Sequence, residues 1–258
     1  MNITSIKWTE RSWNPASGCK ATSEGCAYCY ARGLAEQKRG TAAFPRGFDL
    51  TVRRHKLREP FGVKGRALIF VNSMSDLFWS EFPADLRDET LDVIRQTKQH
   101  VYQALTKRPG RAAAYFETAE APENLWLGAT VESQAHVDRL DALRAAKVAH
   151  RFISAEPLLT PLTLDLTGIE WVIVGGESGL HLRDPAIRDK RGLSEPAARG
   201  WAPREERAEW VRDIARQCEV ANVPFFFKQW GGLRPDSAGD LLDGQTHHAY
   251  PEAMQFAV

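Results

Sequence analysis

Short apolar runs, each closed by polar residues, recur along the chain. They fall at 66–71 (RALIFV), 101–105 (VYQAL), 125–129 (LWLGA), 151–153 (RFI), 171–174 (WVIV) and 223–227 (VPFFF). Their near-continuous apolar character predicts strands covered on both faces, as in a parallel sheet. A further strand is expected at about 3–8. Helical patterns lie between many of them. Pro83-Ala84-Asp85-Leu86 opens one, with Leu86, Thr90, Leu91, Val93 and Ile94 as its apolar stripe. Ser133 is placed to cap a second, carrying Val137, Leu140 and Leu143. Pro203 precedes a third, with Trp210, Val211, Ile214 and Cys218 along one side. Alternating strands and helices predict an α/β fold. A partial or complete TIM-type (β/α) barrel of parallel strands comes first, and an open doubly wound sheet second.

Two segments fit this alternation poorly. The interval 156–170 is short for a crossover helix. Residues 179–202 read as a long polar insertion containing Arg183, Arg188, Lys190, Arg191 and Arg199. No clean linker divides the chain, so residues 1–258 are expected to form a single α/β barrel domain.

Composition narrows the class without naming a function. With 43% hydrophobic and 26% charged residues among 258, the chain is globular rather than collagen-like, disordered or a disulfide-stapled miniature. Lys+Arg 34 against Asp+Glu 33 leaves a net charge of +1, which excludes a globally basic nucleic-acid binder but not a local basic face. No apolar run approaches the ~20 residues of a membrane helix. Met1-Asn2-Ile3-Thr4-Ser5 lacks the features of a signal peptide, so a cytoplasmic location and no membrane partner are expected.

The cysteines carry the strongest chemical signal. Cys19, Cys26 and Cys29 form a C-x6-C-x2-C run within the loop 18–30, and Cys218 stands far away. Three thiolates in one loop can hold three irons of a [4Fe–4S] cluster and leave the fourth iron open. Zinc is the competing reading, and it would need a fourth ligand such as Cys218 or His55. Unliganded thiols are the third. Cys218 reads as a small buried residue on its helix.

Polar residues follow each strand. Asn72, Ser73, Ser75 and Asp76 follow one; Thr106, Lys107 and Arg108 the next; Thr130, Glu132 and Ser133 a third. Ser154 and Glu156, then Glu177 and Ser178, then Lys228, Gln229 and Trp230 follow the rest. In a barrel all would gather at the C-terminal face, where active sites sit.

The cysteine run resembles the radical SAM superfamily motif CxxxCxφC, with Tyr28 at the aromatic position and a longer first gap. With that gap it is similar to the phage and prophage three-cysteine-motif proteins, a radical SAM-like family of uncharacterised function. The landmarks are Trp8-Thr9-Glu10, Trp13-Asn14-Pro15, Gly18-Cys19, Asn72-Ser73-Met74-Ser75-Asp76, Thr106-Lys107-Arg108-Pro109, Ser154-Ala155-Glu156-Pro157, Gly175-Gly176-Glu177 and Lys228-Gln229-Trp230-Gly231.

The resemblance implies a [4Fe–4S] cluster on Cys19, Cys26 and Cys29. It also implies S-adenosyl-L-methionine (SAM) as second cofactor, cleaved to a 5′-deoxyadenosyl radical that abstracts a substrate hydrogen. SAM presents a cationic amino group, a carboxylate, a ribose diol and an adenine. Candidates to bind it are Asn72, Ser73, Ser75, Asp76, Lys107, Thr130, Glu132, Glu156, Gly175, Gly176, Glu177 and Lys228. The superfamily's GGE-type motif follows the second strand, whereas Gly175-Gly176-Glu177 follows a late one, so the amino group is assigned to Asp76. Lys107, Arg108, Glu156, Lys228 and Gln229 remain for the SAM carboxylate or substrate.

A reductant protein and a phage-encoded three-cysteine-motif protein are the expected partners. Nucleic acid is a candidate substrate, through the arginine-rich insertion, Arg53-Arg54-His55-Lys56, and the aromatics Phe226, Trp230 and Trp201. Two other functional classes stand against the radical enzyme. One is a zinc-binding interaction protein; the other is a hydrolase using Asp76, Glu156 and Glu177.

Overall fold

The computed structural model describes residues 1–255. Its principal strands are β1 (Asn2–Ile3), β2 (Arg11–Trp13), β3 (Leu68–Val71), β4 (Val101–Thr106), β5 (Leu125–Thr130), β6 (His150–Ala155), β7 (Trp171–Gly175) and β8 (Phe225–Gln229). Its helices are α1 (Tyr30–Gln37), α2 (Ala84–Gln96), α3 (Pro109–Phe116), α4 (Arg139–Ala145), α5 (Pro185–Arg191) and α6 (Glu205–Val220). Residues 1–129 with 141–151 make one unit, and residues 130–140 with 152–255 make another.

In the first unit, β2, β3, β4 and β5 pair in parallel, with Trp13 opposite Val71, Phe70 opposite Gln103 and Leu105 opposite Gly128. β1 runs antiparallel along the outer edge of β2 and covers it. Every residue of β3 is buried, as a strand flanked on both faces requires. The apolar stripe expected on α2 is the face it buries: Leu86, Thr90, Leu91, Val93 and Ile94. Thr90 is tolerated there because its hydroxyl donates to the Leu86 carbonyl at 2.7 Å. Each large member of that stripe contributes about 1.5–3 kcal/mol by leaving water.

In the second unit, β6, β7 and β8 are parallel, with Ser154 opposite Ile173 and Val174 opposite Phe227. The free edge of β8 is met by residues 247–249: Phe227 N donates to His247 O at 2.7 Å, and Ala249 N donates to Phe225 O at 3.2 Å. The α/β class and the parallel strands agree with the sequence reading.

Three details differ, while the interval 156–170 lacks a helix, as its shortness suggests. Residues 3–8 are not one strand, because Ile3 is 80% exposed and the buried parallel strand begins only at Arg11. The helix expected after Ser133 starts at Arg139, behind a 3-10 turn at Gln134–His136. Along the interval 156–170, Leu158, Leu162, Leu164 and Ile169 are buried. Gln217 of α6 secures that crossing by donating to Leu162 O and accepting from Leu164 N, both at 2.8 Å. The insertion at 179–202 is not a loop but folded structure. A 3-10 turn (Leu180–Arg183), α5 and a hairpin of Ser194–Pro196 with Trp201–Pro203 fill it, anchored by the buried Leu182 and Leu193. Among the described residues no helix is long and apolar enough to cross a membrane.

Candidate functional site

The cysteine loop leaves the end of β2 and is stapled to the segment after β3. Asn14 does part of this: its Oδ1 accepts from Met74 N at 3.0 Å and from Ser73 Oγ at 3.2 Å. Gly18 N donates to Met74 O at 2.9 Å, and Ser75 Oγ donates back to Gly18 O at 2.7 Å. Tyr30 OH donates to Ser73 O at 2.7 Å. Gly18 is obligatory, since its φ is 103° and a Cβ would lie 2.7 Å from Leu50 N. The residue before Cys19 is thereby pinned to the segment after β3.

Cys26 ends a 3-10 turn (Glu24–Cys26), and Cys29 caps the N-terminus of α1. All three sulfurs belong to free, half-buried cysteines. Cys19 and Cys29 pack against an apolar cluster of Ala31, Ala35, Phe48 and Met74. Three thiols on one loop suit a group that takes three protein sulfurs, as an iron–sulfur cluster with one open iron does.

Behind Cys19 stands a buried polar cluster. Asp76, 6% exposed, accepts from Phe78 N (2.9 Å) and Thr106 Oγ1 (2.8 Å) on one oxygen. Its other oxygen accepts from Lys107 N (3.3 Å) and Arg108 Nη1 (2.8 Å). The carboxylate assigned to the SAM amino group is thus held by four donors of the protein itself. Burial, together with Asp76, pushes the Cys19 thiol up to about 11, with Arg108 opposing. Asn72 is different. Its side chain is buried, 3% exposed, and neither its amide nitrogen nor its amide oxygen has a partner. A buried orphan amide beside a three-thiol loop is the donor pattern expected of a site that receives a further polar group. The residues present therefore fit an iron–sulfur group held by Cys19, Cys26 and Cys29, with a polar ligand near Asn72.

The second unit carries its own polar group. Lys228 Nζ lies 2.5 Å from Glu156 Oε1, and a Cβ on Gly175 would touch that same Glu156 carboxylate at 3.1 Å. Glu177 is held by Arg191 through two hydrogen bonds, of 2.5 and 2.8 Å. Glu132 is fully buried and accepts from Arg139 Nη1 at 2.7 Å, and that nitrogen also donates to Thr130 O at 2.8 Å. Gly176 is packed, not open: a Cβ there would sit 2.0 Å from Trp230 O. Of the insertion's arginines, Arg191 is held by Glu177 and Arg188 Nη1 donates to Leu182 O at 3.2 Å; just beyond it, Arg204 pairs with Asp189 and Glu195. Cys218 is buried on α6, 1% exposed, and burial pushes its thiol up to about 12.

Asn14 is a landmark of the sequence without an assigned role, yet it grips both Ser73 and Met74. The basic run Arg53-Arg54-His55-Lys56 belongs to a wider cationic stretch. Residues 20–66 hold eleven Lys and Arg against four Asp and Glu.

The family model described as "Protein of unknown function (DUF5131)" matches residues 3–199 and 192–251. The chain belongs to the DUF5131 family. No curated protein sequence matches it. Among solved structures, this DUF5131 chain is similar to spore photoproduct lyase complexed with dinucleoside spore photoproduct. The TM-score is 0.54 at 11% identity, over 90% of this chain and 77% of that one. A cysteine-to-serine mutant of spore photoproduct lyase gives a TM-score of 0.55 with the same identity and coverage. At that identity the likeness establishes the fold of this DUF5131 member, an α/β fold of the partial TIM-type kind.

Proposed function

We propose that the chain is a radical SAM-type enzyme that acts on a nucleic-acid base or nucleotide in a reducing, cytoplasmic setting. The observation that carries this reading is the three-cysteine loop. It leaves the first parallel strand, is stapled by Asn14, Gly18 and Ser75 to the end of the second, and sits in a fold like that of spore photoproduct lyase, a radical SAM enzyme. A bound [4Fe–4S] cluster would supply, with a reductant protein, the electron that cleaves SAM to a hydrogen-abstracting radical.

The chain's own residues prepare for that. The Ser75–Gly18 hydrogen bond pins the residue before Cys19, and Cys29 caps the N-terminus of α1. The apolar cluster of Ala31, Ala35, Phe48 and Met74 keeps water from one side of the sulfurs. The unpartnered amide of Asn72 is the first candidate to hold a polar group of SAM. Two facts support a nucleic-acid substrate. The structural neighbour is complexed with a dinucleoside, and residues 20–66, which contain the cysteine loop, are strongly cationic, as phosphate contacts require.

The test uses anaerobically purified protein reconstituted with iron and sulfide and reduced with dithionite. The expected result is a [4Fe–4S]⁺ paramagnetic resonance signal that shifts with SAM, forms 5′-deoxyadenosine and is lost in Cys26→Ala. About one zinc per chain with a silent spectrum would overturn the reading in favour of a zinc-binding interaction protein. Short single-stranded oligonucleotides, added to the active protein, test the substrate class by product mass.

A further inference from the structure

The sequence reading leaves Arg108 for substrate or for the SAM carboxylate. Its geometry assigns it elsewhere. Nη1 donates to Asp76 Oδ2 at 2.8 Å and to Cys19 Sγ at 3.7 Å, while Nη2 donates to Lys20 O at 2.6 Å. Both arms of the fork are therefore held inside the protein, and only 13% of the side chain is exposed. The backbone beneath is fixed too, since Arg108 N donates to Thr106 Oγ1 at 2.9 Å, and that hydroxyl donates to Asp76. A guanidinium so constrained is poorly placed to reach out for a ligand. It is well placed to present a fixed positive charge to one sulfur.

That charge has a consequence for electron transfer. Reducing an iron–sulfur group adds one negative charge to the metal and its thiolates. A cationic hydrogen-bond donor on a ligand sulfur stabilises the reduced form, and an anion next to that donor offsets part of the gain. The pair is partly shielded from water, so screening is weaker than at an exposed pair. The Lys20 carbonyl contact adds a second effect, because it ties the residue after Cys19 to the same guanidinium and fixes the direction of the sulfur.

We propose that Arg108 is a positioning residue for Cys19 that raises the reduction potential of the iron–sulfur group held there, with Asp76 as the opposing charge. This rests on the radical-enzyme reading above. It adds a separate, measurable property, the midpoint potential, and a reason for the pairing of Thr106-Lys107-Arg108 with Asp76.

The experiment is a potentiometric titration of the reconstituted full-length protein, followed by paramagnetic resonance. Iron and sulfide per chain are measured on the same samples. Arg108→Leu is expected to keep its iron but to titrate at a more negative potential. At a fixed potential the ratio of reduced to oxidised cluster falls about tenfold, equivalent to about 59 mV for one electron. Arg108→Lys should fall between the two, since an ammonium keeps the charge but not the fork that holds Asp76 and Lys20 together. Asp76→Asn retains the acceptor for Thr106 and Phe78 and should shift the potential in the positive direction. Wild-type potentials in both Arg108→Leu and Asp76→Asn would overturn the proposal and leave the enzyme reading intact. If Arg108→Leu loses its iron, Asp76→Asn decides alone: a positive shift supports the proposal and an unchanged potential overturns it. A wild-type protein that never yields a reducible cluster overturns the enzyme reading itself, and this proposal with it.

Discussion

The Ser75 hydroxyl donates to the Gly18 carbonyl at 2.7 Å, across 57 residues of sequence. It joins the segment after β3 to the residue immediately before the first cysteine. The loop's geometry therefore depends on a strand that contributes no sulfur to it.

Removing that hydroxyl tests the dependence. Ser75→Ala should lower global stability by only about 0.5–1.5 kcal/mol, the net worth of one hydrogen bond. Its larger effect should be local, on the retention of iron by the reconstituted protein. Thermal unfolding and iron per chain, measured together, separate the two. A full iron complement that is kept on dilution would count against the staple.

Gly176 and Gly33 make opposite predictions. At Gly176 a Cβ would lie 2.0 Å from the Trp230 carbonyl oxygen, a backbone atom that cannot step aside. Gly176→Ala should cost about 3 kcal/mol or more, through displacement of the segment after β8. Gly33 lies inside α1 with nothing within 4 Å of its Cβ position. Gly33→Ala should stabilise by up to about 1 kcal/mol through helix propensity. Denaturant midpoints of the two variants are expected on opposite sides of the wild type.

Glu177 and Arg191 form a buried bidentate pair, with side-chain exposures of 5% and 12%. Arg191→Leu leaves the buried Glu177 carboxylate with His181 Nε2, 3.5 Å away, as its remaining ionic partner, and should cost about 3 kcal/mol. Adding Glu177→Gln to it removes the buried charge, so the double variant should recover part of that loss. Urea unfolding of the two proteins would detect the recovery, and its absence would mean that Arg191 acts mainly by packing.

Alkaline pH should weaken the fold. Burial pushes Cys218 from 9.0 up to about 12, and it raises Tyr102 from 10.0 to about 12. Both groups release their protons more readily in the unfolded chain. Their contribution is intact below about pH 9 and declines as pH rises towards 12. Stability measured at pH 8 and at pH 10.5 should therefore differ, by less in Cys218→Ala than in the wild type. The same shift predicts that native Cys218 resists alkylation at pH 8, where almost none of it is thiolate. Peptide mapping after iodoacetamide treatment would check this.

Much of this protein is legible in the sequence by itself, because the forces involved are local. The β-branched and aromatic runs become β3 to β8, and the stripe Leu86, Thr90, Leu91, Val93 and Ile94 becomes the buried face of α2. The insertion at 179–202 misleads for a related reason. Its apolar anchors, Leu182 and Leu193, are single residues without periodicity, so a folded segment reads as a polar loop. The cysteine spacing also places three thiols on one loop without any knowledge of what surrounds it.

What the strand-end residues do is another matter. Asp76, Thr106, Arg108 and Cys19 are separated by up to 89 residues and meet because β3 and β4 are in register, Val71 opposite Ala104. That register decides that Asp76 is held by the protein, that Arg108 turns to a sulfur, and that the Asn72 amide is left without a partner. Hydrogen-bonding capacity is written in each residue. Which partner satisfies it is fixed only when neighbouring strands align, so tertiary structure alone separates the groups that build the site from those left open within it.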